Sequence, residues 1–150
     1  MLGVGSVKKS KKNEARYFRS IVRVDRTAFG TLSDQVRTLQ LFWKSTETRF
    51  LLATWTTPAS TTVVGYAAYQ LKPGSCYLLR IAVDSHWQGK GVGRALFAHL
   101  CDLAPLLQLE VSDDNLGAIA FYKKMRMTEV RHRAPSASGT CGFFDFELEL

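Results

Sequence analysis

One stretch of seven residues concentrates the chemistry: Gln88-Gly89-Lys90-Gly91-Val92-Gly93-Arg94. Three alternate glycines stand between a run that reads as strand and a run that reads as helix. Glycine accepts positive φ and lets a ligand come close to the main chain. A helix begins with free N–H groups and the positive end of its dipole. Together these features make an anion site suited to phosphate oxygens. Without a ligand, the same pattern is a flexible loop that opens a helix. A P-loop needs GxxxxGK[ST], which is absent. A dinucleotide site needs GxGxxG directly after a strand. Here Asp84 to Gln88 intervene, and Leu96 holds the third glycine position counted from Gly91. Both nucleotide readings fit poorly.

Two further side chains could do proton chemistry. Leu107, Leu109 and Val111 share one face of a short strand, which turns Glu110 to the other face with Gln108. A carboxylate there needs a cleft or a partner, so Glu110 is either a base or half of an ion pair. Tyr122 falls on an apolar helix face, where periodicity alone reads it as packing. Asp25 falls inside an apolar arc and suits a cap or an ion pair. His86, His99 and His132 are scattered, with no HExxH, so no metal is expected. Asp84-Ser85-His86 holds triad residue types, but adjacent neighbours cannot form a triad, and GxSxG is missing. Cys76, Cys101 and Cys141 lie far apart with no CxxC. They point to a reducing compartment, with a cytoplasmic location as the simple reading.

These residues need a scaffold. At 150 residues the chain has the size of one domain, and 46% hydrophobic residues argue against global disorder. No apolar run reaches the roughly 18–20 residues that span a bilayer, so no membrane partner is expected. The formal charge of +7 attracts phosphates and acidic groups. Lys8, Lys9, Lys11 and Lys12 make residues 1–13 a basic, flexible N-terminal segment of solvated charge. KKSKK also suits a nuclear signal or a nucleic-acid tail.

Periodicity predicts helices over 15–29 and 33–44, the second capped by Ser33 and buried through Val36, Leu39 and Trp43. On the first, Arg16, Arg19, Arg23 and Arg26 form a solvated stripe. Strands are predicted over 48–55, 62–71 and 76–83, with turns at TPAST and KPGS. After the glycine segment come a helix over 93–103, a strand over 106–112, a helix from Asn115 to Met125, and closing strands over 128–133 and 142–150. Strands joined by a helix are normally parallel with a right-handed crossover. The fold class is therefore mixed α/β in one domain, residues 1–150.

The glycine segment resembles Q/R-x-x-G-x-G/A, the acyl-CoA pyrophosphate loop of the GNAT superfamily of N-acetyltransferases, at Gln88, Gly91 and Gly93. LLRIAVDSHW before it and RALFAHLCDLA after it look like that family's central strand and next helix. Downstream, Asn115, Ala118, Phe121 and Tyr122 match its N-x-x-A-x-x-F-Y pattern. The resemblance covers about residues 78–131. It implies a mostly antiparallel central sheet flanked by helices, with one parallel strand pair splayed for CoA. The family usually has Gly-Phe where this chain has Arg126-Met127. Glycine there supplies a left-handed helix stop that arginine adopts only at some cost.

The resemblance implies acetyl transfer from acetyl-CoA to an amine by direct attack on the thioester, with no metal. Backbone groups of Ile81, Ala82 and Val83 would receive the pantetheine arm, and the Val83 N–H would polarise the thioester carbonyl. Gln88, Gly89, Lys90, Gly91, Val92, Gly93 and Arg94 would hold the pyrophosphate, and Asn115 would contact the pantetheine arm. Tyr122 would be the general acid. A thiol near 8.5 against a tyrosine near 10 makes that transfer mildly uphill. The pattern is nearest to the acetyltransferases that modify ribosomal-protein N-termini, where a glutamate precedes the tyrosine by twelve positions, as Glu110 precedes Tyr122. Glu110 would then be the base, and Asp25 would border the acceptor channel, within reach of the substrate amine.

An α-amine is roughly 10–15% neutral at pH 7, whereas a lysine is about 0.04% neutral, which favours a peptide N-terminus as acceptor. The alternatives are a small amine, polyamine or antibiotic-like, and a non-catalytic CoA-binding module using its basic surface for RNA or an acidic partner. No stacking-aromatic motif supports nucleic acid.

Overall fold

Turn chemistry and alternation divide residues 48–83 into β2 (Thr48–Thr56), β3 (Thr61–Lys72) and β4 (Ser75–Val83), joined as antiparallel neighbours. Gly74, at φ 78°, takes the left-handed conformation that the tight β3–β4 turn requires. The computed structural model describes residues 1–30 and 33–150; the side chains of Ser33 and Asp34, and with them the predicted Ser33 cap, lie outside the described residues.

Around this meander stand β1 (Leu2–Ser6), β5 (Leu106–Ser112), β6 (Thr128–Arg133) and β7 (Phe143–Glu149). The sheet order is β1-β2-β3-β4-β5-β7-β6. Every neighbouring pair is antiparallel except β4–β5, which is parallel. The helices are α1 (Lys11–Asn13), α2 (Arg19–Phe29), α3 (Ser33–Lys44), α4 (Val92–Cys101) and α5 (Leu116–Lys124). A π-helical turn, Glu14–Phe18, joins α1 to α2.

The apolar stripes predicted for α2 and α3 bury Ile21, Val24, Leu39 and Trp43 against Phe50, Leu52, Tyr66 and Ala68 on one face of the sheet. The other face receives Leu96, Phe97 and Leu100 from α4 and Ile119 and Tyr122 from α5, packed on Leu51, Val64, Leu78 and Leu109. Each leucine, isoleucine, valine or phenylalanine among them, fully buried, stabilises by about 1.5–3 kcal/mol. Gly65 sets how closely α4 approaches: a Cβ there would lie 2.9 Å from Val92 Cγ1 and 3.1 Å from the Ala82 carbonyl oxygen.

The N-terminal segment departs from expectation. Leu2–Ser6 pairs with β2 as an edge strand. Lys9 is not a freely solvated cation. Its Nζ donates to the carbonyls of Phe42 at 3.0 Å and Ser45 at 2.5 Å, satisfying carbonyls at the end of α3. Arg23 leaves the arginine stripe to donate to Asp84 Oδ2 at 2.8 Å and to the Val63 carbonyl at 2.6 Å.

Asp25, the acid in the apolar arc, is 2% exposed and holds an ion pair. Arg80 donates to it through Nε at 2.7 Å and Nη2 at 3.1 Å, and the Tyr66 hydroxyl donates at 2.5 Å. The α5 helix stops as the family pattern requires, with Arg126 in the left-handed region at φ 66°. The Met127 N–H closes back onto the Tyr122 carbonyl at 3.1 Å, and Met127 is buried.

Gly65→Ala should destabilise the fold by about 1–3 kcal/mol in urea denaturation, because backbone and a β-branched side chain limit the space. Arg126→Gly should stabilise it by about 0.5–1 kcal/mol in the same measurement, the relieved strain exceeding the added chain entropy.

Candidate active site

The site begins where two strands part. β4 and β5 pair in parallel from Ser75↔Leu106 to Leu78↔Leu109, and pairing ends there. At that point β4 carries one extra residue. Ala68 faces Arg80 and Tyr69 faces Leu78, so Leu79 is a bulge. A bulge bends its strand and raises the local twist. Beyond it, the Asp84 N–H donates to the Val64 carbonyl at 2.9 Å. By antiparallel alternation, Ala82 spends its polar groups on Tyr66, while those of Ile81 and Val83 point to the unpaired side. Of the three residues expected to offer backbone groups to a pantetheine arm, Ile81 and Val83 are therefore free to do so, and Ala82 is not. The Val83 carbonyl accepts from Gln88 Nε2 at 3.2 Å, which ties the predicted phosphate-loop glutamine to the strand exit.

A short 3-10 turn, Ser85–Trp87, carries the chain from β4 to the glycines. Asp84 fixes it, accepting from the His86 N–H at 3.0 Å and from Arg23. Burial alone would raise the Asp84 pKa, but these hydrogen bonds and the Arg23 charge together hold it below the usual carboxylate value. Trp87 packs on Trp55 at 5.2 Å, and Lys90 Nζ lies 5.0 Å from the Trp87 ring centre.

Gly89 and Gly91 are left-handed, at φ 75° and 85°. Gly91 caps α4 without any side-chain hydrogen bond, and the Ala95 N–H is the first to close back, onto Gly91. The N–H groups of Val92, Gly93 and Arg94 therefore have no partner among the described residues. A Cβ on Gly91 would meet nothing within 4 Å, so an anion has room there, whereas one on Gly93 would lie 3.3 Å from Phe121. Val92 is buried and has only its backbone to offer; Arg94 and Lys90 are exposed. The arrangement fits a diphosphate: unpaired N–H donors, a dipole end, two nearby cations and open space.

Tyr122 is buried against Phe121 at 5.6 Å and Phe146 at 6.2 Å between ring centres. Its hydroxyl has no hydrogen-bond partner among the described residues. Burial pushes its pKa up to about 12, and the Arg80 cation pulls partly back. A proton transfer from Tyr122 to a thiolate, expected from sequence to be mildly uphill, would thus be steeper. Against a thiol near 8.5, a tyrosine at about 12 gives roughly 5 kcal/mol.

Glu110 lies on the opposite face of the sheet, as its strand position predicts, and is bound there by Arg133. The structure does not bring the Glu110 and Tyr122 side chains into contact; they flank the gap from its two sides. Asn115 is the cap of α5, with Oδ1 accepting from the Ala118 N–H at 3.2 Å.

Three site residues escaped the sequence reading. Arg80 carried a signal, a charge inside an apolar strand that demands a buried partner. Arg133 and Asp145 carried none. Among the described residues no group of His, Cys, Asp or Glu is arranged for a metal, and no helix is long and apolar enough to cross a membrane. A cleft of about 690 Å³, lined among others by Lys9, Trp43, Arg49 and Tyr69, shares no residue with this site.

A model of the Acetyltransferase (GNAT) family matches residues 17–126. The [Ribosomal protein bS18]-alanine N-acetyltransferase of Escherichia coli K12 is 34% identical over 85 residues, 51% of this chain and 57% of the relative. The "Probable spermine N(1)-acetyltransferase" of Bacillus subtilis subsp. natto is 34% identical over 76 residues, 41% of this chain and 50% of the relative. The chain spans about half the length of these curated relatives. The crystal structure of Arabidopsis thaliana NAA60 in complex with acetyl-CoA has the same fold, with a TM-score of 0.72 at 13% identity over 100% of this chain and 99% of that one.

Tyr122 is neutral in the fold at pH values where it ionises in the unfolded chain. Its burial therefore stabilises fully below about pH 10 and loses that contribution as pH rises toward 12. Relative to pH 8, wild type at pH 11 should lose about 1 kcal/mol more stability than Tyr122→Phe, read by urea denaturation.

Proposed function

Because the chain belongs to the GNAT acetyltransferase family, we propose that it moves an acetyl group from acetyl-CoA onto a primary amine, with a peptide or protein N-terminus as acceptor. The observation that carries this reading is the opening of β4 from β5 beyond Leu78, with unpaired helix N–H groups after Gly91. Acetyl-CoA, when bound, supplies an activated acyl group on a thioester.

Every other part belongs to the chain. The N–H groups of Val92, Gly93 and Arg94 hold the diphosphate, and Lys90 and Arg94 add charge. Ile81 and Val83 offer strand-edge groups, and the Val83 N–H donates to the carbonyl oxygen where charge develops. One well-aimed donor of this kind is worth about 3–4 kcal/mol. Glu110 takes the proton of the acceptor amine. Tyr122 holds the proton destined for the leaving sulfur, and the Arg80 cation stabilises the phenolate that this leaves behind. Asn115 holds α5, and so the Tyr122 backbone, in place.

An α-amine needs little help to lose its proton, and one carboxylate suffices. The family pattern of Glu110 and Tyr122 and the naming of the Escherichia coli relative support the peptide acceptor. The three thiols, free of disulfides, suit the reducing cytoplasm as its compartment.

Calorimetry with acetyl-CoA, and transfer from labelled acetyl-CoA to an alanine-initiated peptide, a lysine peptide and spermine, test the reading. The α-amine peptide should show the highest kcat/KM; a higher value for spermine would replace it with the small-amine acceptor. Tyr122→Phe should lower kcat about 100-fold or more with coenzyme binding retained. An unchanged kcat removes Tyr122 as the acid. Glu110→Gln should change the pH–rate profile, and an unaltered profile removes it as the base.

A further inference from the structure

Glu110 and Asp145 face one another directly in the β5–β7 register. Two carboxylates in that position repel, so the ladder needs a cation between them. Arg133 supplies it, with Nη2 alone donating both to Glu110 Oε2 and to Asp145 Oδ1, the latter at 3.0 Å. An arginine built in for stability uses its fork on two oxygens. Here one nitrogen serves two carboxylates, and Nε is buried with no partner. Arg131 stands further off, its Nε 3.9 Å from Asp145 Oδ2. The three central side chains are 35%, 38% and 28% exposed for Arg133, Glu110 and Asp145. Ion pairs at such exposure are weakly held. The Arg133 guanidinium also lies 5.6 Å from the Phe143 ring centre, a surface it keeps when its carboxylates are taken by another cation.

Resting on the acetyl-transfer reading, we infer that Arg133 is an exchangeable counter-ion. It fills the Glu110–Asp145 pair until the ammonium of the acceptor displaces it, and so sets how tightly the site takes a primary amine. Arg133 acts through Glu110 and is a positioning residue. The acceptor class that fits is a cation with its amine at the leading end, because only such a group replaces the guanidinium between two carboxylates.

The test is calorimetry on the CoA-bound protein with two probes, an alanine-initiated peptide and spermine, alongside acetyl-CoA alone. Arg133→Gln should tighten the Kd of both amines about threefold to tenfold and leave acetyl-CoA affinity unchanged. Arg133→Lys keeps the charge and should stay within about twofold of wild type. Asp145→Asn leaves Arg133 to Glu110 alone and should weaken both amines. Amine affinities that are equal or weaker in Arg133→Gln, or equal or tighter in Asp145→Asn, overturn the inference, as does an absence of amine binding by every variant. Should Arg133→Gln not fold, the Asp145→Asn result decides. A wild type that binds the amines but transfers no acetyl group overturns the proposed function, while the Kd ratios still judge Arg133.

Discussion

The ion pair between Asp25 and Arg80 is the contact on which the rest of the site depends. It joins α2 to β4 just past the Leu79 bulge, at a residue that would otherwise be an uncompensated charge inside an apolar strand. A buried charge of this kind tolerates no loss of its partner; breaking such a pair costs about 3–5 kcal/mol. Arg80 is therefore held on the α2 side, over β3. β5 stays paired with β7 along its whole length, and the two parallel strands have no shared register after Leu78 and Leu109. The opening is built from covalent count and charge pairing. Tyr66 completes it, spending its hydroxyl on Asp25 and keeping the carboxylate satisfied.

The same network reaches the chemistry by field. Tyr122 sits on the far face of the sheet, in an aromatic cluster that raises its pKa, and the one charge that counters this is that of Arg80. Burial makes the tyrosine a weak acid and the guanidinium makes its conjugate base less costly. The ionisation of Tyr122 is thus tied to a residue that also anchors α2 to β4. On the other side of the gap, Glu110 is engaged by Arg133, so the candidate base and the candidate acid are governed by two different arginines.

Much of this was legible in the residues. Alternation and turn types gave strand bounds within a residue or two over β2 to β5, because both hairpin turns carry their own signals and β5 sits between two helices. Gly91 read correctly as a helix mouth, since its role depends on local backbone alone. Asp25 stood out as an acid in an apolar arc, whereas its partner Arg80 escaped the sequence reading, their pairing crossing 55 positions. What escaped has a common cause. β1 alternates Leu2 and Val4 with Gly3 and Gly5 beside a lysine run, so its signal is weak until β2 is there to pair with it. Arg23, Arg133 and Asp145 take their meaning from partners many residues away, which no local pattern encodes.

Placing β1 in the sheet has a consequence for solubility. Both outer strands, β1 and β6, present one unpaired rim of main-chain donors and acceptors, the surface on which strands of separate molecules stack into polymer. The two rims are defended differently. β6 carries charged side chains along its length, Glu129, Arg131 and Arg133, which keep water on its rim. β1 is only five residues long, is interrupted by glycine, and runs directly into Lys8 and Lys9, which leaves too short and too charged a template for another chain to extend. Short length and charge on the two rims thereby guard this protein against strand-to-strand aggregation.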